Sequence, residues 1–417
     1  MPVPAKFAPT PSDATRTAHV PAKVSAGLVI MLGALTAIAP LSIDMYLPSL
    51  PMIAQSFGGP QGSAQITLAA FLGGMAIGQF FYGPASDRWG RRGPILFGAV
   101  LYVAASAACV LAPSILWLSV ARFAQALGGC AGQVVARAVV RDRFEHRDAA
   151  RVLSLLMLVM GVGPIIAPLI GGAMLAVVGW RAIFGVLGGF GALISLAALF
   201  RLAESRSAET AAQARSEHPI QAYLALLVQP RLVGFVLAGA LNSAAIFSYI
   251  SASPGLLIGT YGVPPSQFGW VFGLNAGAMI AMSQVNGHLL RRHSPERLVA
   301  WSRPVSLVFA LAMAISAFTG LGGMWGVLVP LFFIMGSFGF VGPNTMAGGL
   351  NIDPRRAGSI SALMGGAQFG VGAAASAAIT AMHDPGPRPM TIVILGCIIG
   401  STVALYALAL PKGSLQD

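Results

Sequence analysis

The sequence predicts an all-α integral membrane protein whose twelve transmembrane helices form two pseudo-symmetric six-helix bundles. Three observations carry this expectation. Of 417 residues, 56% are hydrophobic and only 9% charged, against about 25% charged in a water-soluble domain, and the mean hydropathy is +0.77. The apolar residues fall in runs near the ~20 residues that cross a bilayer as a helix. One long polar stretch, ESRSAETAAQARSEHP at 204–219, divides these runs into two sets of six. Hydrocarbon leaves no water for unpaired backbone groups, so spanning segments are helices or closed barrels, and the length and lack of alternation of these runs select helices.

Taken in order, residues 1–23 are rich in Pro, Ala and polar groups and read as a disordered cytoplasmic tail. The first half, 24–202, holds spans at 24–52, 64–84, 94–112, 114–138, 150–176 and 180–201. A cytoplasmic linker is expected at 203–230. The second half, 231–410, holds spans at 231–259, 267–290, 298–319, 324–350, 357–381 and 390–410, and a short cytoplasmic tail follows at 411–417. Ala37-Ile38-Ala39 imitates a signal-peptidase site, but Pro40 follows directly and the apolar stretch before it is already long, so an uncleaved first span is expected.

Orientation follows from Lys and Arg, which are retained in the cytoplasm when they flank a span. DRWGRR, the run RDRFEHRDAAR at 141–151, the linker, RRHSPER at 291–297 and DPRR at 353–356 alternate with SFGGPQGSAQ, APS, YGVPPSQF and TGLGG, which carry no charge. Arg181 and HDPGPRP at 383–389 break the pattern. The expected setting is a bacterial inner membrane, crossed many times, with both termini cytoplasmic.

The net charge of +12 would suggest a nucleic-acid partner in a soluble chain. Here the basic residues lie between apolar runs and no polybasic, aromatic-interleaved face exists, so nucleic acid is excluded as a partner. Cys109, Cys130 and Cys397 sit inside apolar runs without metal-ligand spacing, and the histidines, among them His146, His218, His288, His293 and His383, fall at helix ends or in loops. No metal or cofactor is expected. No His-Glu-x-x-His, Gly-x-Ser-x-Gly or phosphate-binding Gly-Lys-Ser/Thr pattern is present, so the chain does not read as an enzyme. It is expected to act as a monomer in the lipid bilayer.

Two charges lie inside spans at similar depth. Asp44, in SIDMYLPSLP, is roughly 30 Å along its helix from Val24, and Arg122 is roughly 12 Å in from the outer end of the fourth span. A lone ionised group at a helix centre costs about 2.5–3.5 kcal/mol, so the two are expected to face the interior or each other. Gln125 is one turn from Arg122 on the same face. Polar and aromatic residues within apolar spans, namely Tyr46, Gln79, Tyr82, Asn242, Tyr249, Asn275, Asn344 and Gln368, are with Gln125 the candidates for a substrate cavity.

Three motifs resemble those of one family. GPASDRWGRR, Gly83 to Arg92, reads as a short cytoplasmic hairpin and resembles the signature loop between helices 2 and 3 of the major facilitator superfamily. RFAQALGGCAGQ resembles that superfamily's second motif, with Ala126 where Gly is usual. GVGPIIAPLIGGAM, Gly161 to Met174, resembles the motif of its drug:proton antiporters, with Ala167 where Gly is frequent. With SIDMYLPSLP, the chain looks most like the twelve-span group associated with bicyclomycin and chloramphenicol resistance. NGHLLRRHSPER, in the matching place of the second half, keeps a Gly and an Arg pair but not the acid.

The resemblance implies a proton-driven multidrug efflux antiporter working by alternating access, with a small-molecule drug and protons as its partners. It assigns proton coupling to Asp44 and Arg122, and a conformational switch to Gly83, Asp87, Arg88, Gly90, Arg91 and Arg92. The antiporter helix is marked by Gly163, Pro164, Pro168, Gly171 and Gly172. Thr36, two turns before Asp44, stands where many exporters of cationic drugs carry a second acid, so small neutral or zwitterionic antibiotics are the first expectation. The alternative is a proton-coupled carrier of a sugar, amino acid or siderophore with the same fold.

Overall fold

The first transmembrane segment is broken where its prolines fall. In the computed structural model, which describes residues 26–60, 62–208, 210–212 and 219–410, helix α1 (Ala26–Asp44) ends at the acid. A 3-10 turn, Leu47–Ser49, and α2 (Leu50–Ser56) complete the span. Pro48 and Pro51 each stand at the start of a segment, where the missing N–H costs nothing. Ser49 closes the turn by donating its N–H and its hydroxyl to the Tyr46 carbonyl, at 2.9 and 2.5 Å. The tails at 1–23 and 411–417, and the linker residues 213–218 with His218, lie outside the described residues.

The remaining helices of the first half are α3 (Gln65–Trp89), α4 (Arg92–Val110), α5 (Ile115–Arg143), α6 (His146–Val178) and α7 (Trp180–Arg201). Ser114 caps α5, its hydroxyl accepting the Trp117 N–H at 3.2 Å. α3 runs on through most of GPASDRWGRR, so the expected hairpin is a turn at Gly90 and Arg91 and the rest of the motif is helix. The helix can extend because its final carbonyls have partners: the Arg206 guanidinium donates to the Asp87 carbonyl at 3.2 Å and also to that of Arg88.

The linker is not featureless either. It contains α8 (Pro219–Leu227), whose Tyr223 packs edge-on against Phe80 of α3 with ring centroids 5.6 Å apart. The second half follows as α9 (Pro230–Pro254), extended by a π-helical turn to Thr260, then α10 (Pro265–Leu289), α11 (Pro295–Thr319), α12 (Gly323–Leu350), α13 (Ala357–Ala381) and α14 (Arg388–Ala404). Ser294 caps α11 through the Arg297 N–H at 3.3 Å.

Among the described residues twelve helices are long and apolar enough to cross a membrane. The first six pack mainly on one another, α3 and α4 against α5, α1 against α5 and α6, and α4 against α7. In the second set α9 contacts α12, α13 and α14, while α12 contacts α10 and α11. The two sets meet along two seams, α3 with α13 and α6 with α10, and the turn after Asp44 touches α9 and α10. Large apolar side chains such as Trp270, Val308 and Phe200 remain exposed, the expected outer coat of a protein whose solvent is lipid.

Candidate functional site

Asp44 and Arg122 both face the interior, at 2% and 0% exposure, and do not pair with each other. Arg122 bonds to other groups through its two terminal nitrogens, its Nε having no partner among the described residues. It donates to the Gln125 amide oxygen at 2.6 Å and to the Ser42 carbonyl at 2.9 Å. Its guanidinium lies over the rings of Tyr46, Phe71 and Phe184, 4.2, 4.1 and 5.5 Å from their centroids. Cation–π contacts gain strength when desolvated, up to about 2 kcal/mol each, so three rings and two acceptors hold this cation without a counter-ion.

Gln125 and Tyr46 are fully buried and bonded within the first half. The Gln125 amide donates to the Ser106 hydroxyl at 2.8 Å, and the Tyr46 hydroxyl meets that of Thr67 at 3.2 Å. Asp44, by contrast, has a buried carboxyl oxygen with no hydrogen-bond partner. The turn that follows it touches α9 and α10 of the other half. Tyr249 accepts a hydrogen bond from the Asn275 amide at 3.1 Å and stacks on Phe272 at 5.3 Å. Tyr249 and Asn275 thus stand on the two helices that the turn after Asp44 touches.

The other cavity candidates divide. Gln79 lies on the α3–α13 seam, where its amide abuts Gly365 and donates to Gln133 at 3.4 Å. Gln368 is half-buried beside Gly239 of α9. Asn344 is paired with Asn286 inside the second half, at 2.8 and 3.5 Å, and so acts as a packing contact between α10 and α12. Asn242 and Tyr82 are buried, each with an oxygen that has no partner.

At the other end of the first half, the motif residues form a clasp. Arg91 bonds Asp142 at 2.7 Å and the Ser86 hydroxyl at 2.9 Å, and pairs with Asp87. Burial works against its charge, but the bonds to Asp142 and Asp87 leave its guanidinium more firmly protonated than usual. Glu204, the third residue after α7, receives the N–H groups of Arg91 at 2.8 Å and Arg92 at 3.2 Å, and so caps α4. Burial alone would raise its pKa, yet these bonds and those from Ser205 and Arg206 hold the carboxyl below its usual range. Gly90 has φ +94°, and a Cβ there would collide with the Glu204 carboxylate, so both the turn and the clasp require glycine. Gly83, further back, is simply helical, and Arg92 adds a bond to the Leu199 carbonyl at 2.7 Å.

The antiporter-like segment lies within α6, which remains helical through Pro164 and Pro168. One edge meets α1, with Gly163 on Pro40 and Gly171 on the Met45 carbonyl. The other meets α10, with Ile165 on Gly273, Leu169 on Gly269 and Gly172 on the Pro265 carbonyl. Along the seam with the second half the motif therefore contributes Gly172 and the larger Ile165 and Leu169, which pack on two glycines of α10, while Gly163 and Gly171 serve the contact with the first span.

Residues 32–377 match the family model described as Major Facilitator Superfamily. The chain belongs to the Major Facilitator Superfamily. Relatives of this superfamily member include a bicyclomycin resistance protein homolog of Haemophilus influenzae, 31% identical over 91% of this chain and 95% of the relative. A multidrug resistance protein, MdtL, of Klebsiella pneumoniae is 29% identical over 92% and 96%. Two solved transporters share the fold. A bacterial homolog of the lysosomal transporter Spinster, in an inward-facing conformation, has a TM-score of 0.69 and 18% identity over 92% of this chain and 96% of its own. A D-xylose-proton symporter has a TM-score of 0.69 and 14% identity, over 90% and 95%. The superfamily member is accordingly a multi-pass membrane transporter.

Three further charged residues of this transporter escape the sequence reading. Arg137 lies inside α5 and Arg303 inside α11. Both could have been found by scanning every span for charge. Glu204 looked like ordinary linker. Only its chain-distant partners at Arg91 and Arg92, more than a hundred residues away, distinguish it.

Proposed function

We propose that the protein exports small neutral or zwitterionic drugs across a bacterial inner membrane in exchange for protons. The observation that carries this reading is Asp44, an acid inside a span, with no ion pair among the described residues, just before the turn that touches the second half. Burying a carboxyl without a counter-ion or a full set of hydrogen bonds favours its neutral form. When the halves part and water reaches α1, the same group can ionise. Alternating access then moves a proton one way and frees the site for drug moving the other. Each charge entering down the membrane potential releases about 2.3 kcal/mol per 100 mV. The names of the H. influenzae and K. pneumoniae relatives support a drug as cargo.

Arg122 acts in this reading by positioning. Its bond to the Ser42 carbonyl fixes the backbone two residues before Asp44, and Gln125 holds the guanidinium in place. Tyr249 and Asn275 present hydroxyl and amide groups to the same region from the other half. The clasp around Arg91 ties the α3–α4 turn to the end of α7, so that the first half can rock as one body. By the distribution of Lys and Arg, the clasp and both termini are on the cytoplasmic side.

The test is an inhibitory-concentration panel in a drug-sensitive host, with proton-linked efflux measured in proteoliposomes. The wild-type chain should protect against at least one drug class and Asp44→Asn should abolish that protection. Unchanged protection in Asp44→Asn would overturn the assignment. Drug-independent, proton-driven uptake of a sugar, amino acid or siderophore would favour the alternative cargo.

A further inference from the structure

The geometry points to a second ligand-binding element: Arg137, with the amides of Gln133 and Gln79, forms a subsite for a carboxylate group of the transported molecule. The inference rests on the export reading above and adds to its substrates a class that this subsite would favour, compounds that carry a carboxylate, zwitterions included.

Arg137 lies six residues before the end of α5, so roughly 9 Å inside the span. Its Nε donates to the Gln133 carbonyl one turn back, at 3.1 Å, which lays the side chain along the face that carries Gln133. That face looks toward the junction of the halves. Gln133 receives the Gln79 amide at 3.4 Å and turns its own amide to the Met160 sulfur of α6 at 3.9 Å. Gln79 in turn abuts Gly365 of α13. Helices α3, α5, α6 and α13 therefore converge here, and two of them form the α3–α13 seam.

The donors at this point outnumber good acceptors. A thioether is a weak acceptor for the Gln133 amide. The two terminal nitrogens of Arg137 bond to no group among the described residues, and its charged neighbour is another cation, Arg141. Asp44 is too far to serve. It shares the depth of Arg122, and fifteen residues of helix put Arg137 roughly 22 Å further along. Charged groups inside spans mark ligand or ion pathways when no structural partner accounts for them. Arg122 has its rings and carbonyl, and Arg91 has two carboxylates. Arg303 also has two unpartnered nitrogens but is closed off inside the second half at 1% exposure, whereas half-buried Arg137 keeps an unspent fork of N–H groups where four helices converge, and such a fork matches a carboxylate bidentately.

The experiment compares wild type, Arg137→Gln, Arg137→Lys and Asp44→Asn in a drug-sensitive host. The panel sets a fluoroquinolone carboxylic acid and fusidate against the fluoroquinolone's carboxamide and chloramphenicol. Wild type should protect against the carboxylates. Arg137→Gln should lose about tenfold of that protection, the effect of one charge-assisted contact. It should keep its protection against the compounds that lack a carboxylate, which also shows that the variant folds. Arg137→Lys should recover part of the loss, and Asp44→Asn should lose protection against both classes. Protection by wild type that excludes every carboxylate overturns the subsite, as does an equal loss of both classes in Arg137→Gln. A tenfold effect on efflux seen only in vesicles containing phosphatidylglycerol, and absent in phosphatidylcholine alone, assigns Arg137 to lipid phosphate and also overturns it. If wild type protects against nothing in the panel, the export reading fails and the subsite with it.

Discussion

The two halves of this transporter bury polarity by different chemistry. The first half buries charge: Asp44 at the contact with the second half, Arg122 among three rings, and Arg91 between two carboxylates. The second half buries amides and hydroxyls, with Asn286 on Asn344, Ser306 on Ser337 at 2.6 Å, and Ser251 on Ser376 at 2.7 Å. Its buried charge in a span is Arg303, which bonds the Ser401 hydroxyl at 3.3 Å and leaves two nitrogens without partners. The ends differ in the same way. Where the first half has its clasp, the second has a looser pair, Arg231 with Glu296 at 3.8 Å. Amide and hydroxyl contacts do not change with protonation. On the proposed reading, the titrating and switching groups belong to the first half, and the second is mainly a frame that carries Tyr249 and Asn275.

The sharpest break between the halves should come from making one substitution twice. Arg122→Met removes two strong hydrogen bonds and three ring contacts, and should destabilise the protein by about 3 kcal/mol or more. Arg303→Met removes a cation that is poorly solvated where it stands. It should leave stability within about 1 kcal/mol or improve it, since a buried charge is often replaced by an apolar side chain without loss. Melting temperatures in one detergent read both. Equal losses would mean that the two arginines are held equally well.

A smaller effect tests the amide frame. Asn344→Leu leaves the Asn286 amide buried and unpaired, at a cost of about 1–3 kcal/mol. Adding Asn286→Leu should recover part of that loss, because no orphaned group then remains. A double change that costs the sum of the two singles would show that the pair is not a unit.

The smallest effect is the most specific to the clasp. The Glu204 carboxyl titrates below its unfolded value, so the stability that it contributes is present at neutral pH and is lost as pH falls below about 4.5. Its exposure keeps the effect modest. Glu204→Gln should lower the melting temperature slightly at pH 7 and flatten that acid limb of the stability curve. An unchanged limb would give the acid dependence to other carboxylates.

Much of the fold was legible because membrane depth is written along one dimension. Apolar run length located every span, and the alternation of basic loops predicted an orientation. What depth could not convey was direction around each helix axis. Asp44 and Arg122 share a level, but Arg122 turns into rings supplied by Tyr46, Phe71 and Phe184, from three separate segments. That same information was missing for Asn344, whose partner sits 58 positions away. The hairpin reading of GPASDRWGRR failed for a related reason, since the groups that let α3 extend to Trp89 come from Arg206. Arg137 was passed over because the basic run beside it looks like an ordinary cytoplasmic flank.

One contact has a practical consequence. The backbone of α6 at Gly171 is so close to the chain after Asp44 that an added methyl would overlap the Met45 carbonyl. Both segments belong to the half that moves as one body in the proposed cycle, so the clash would persist through every state. Alanine at position 171 would therefore act as a wedge inside that body, lowering its melting temperature without selecting either state.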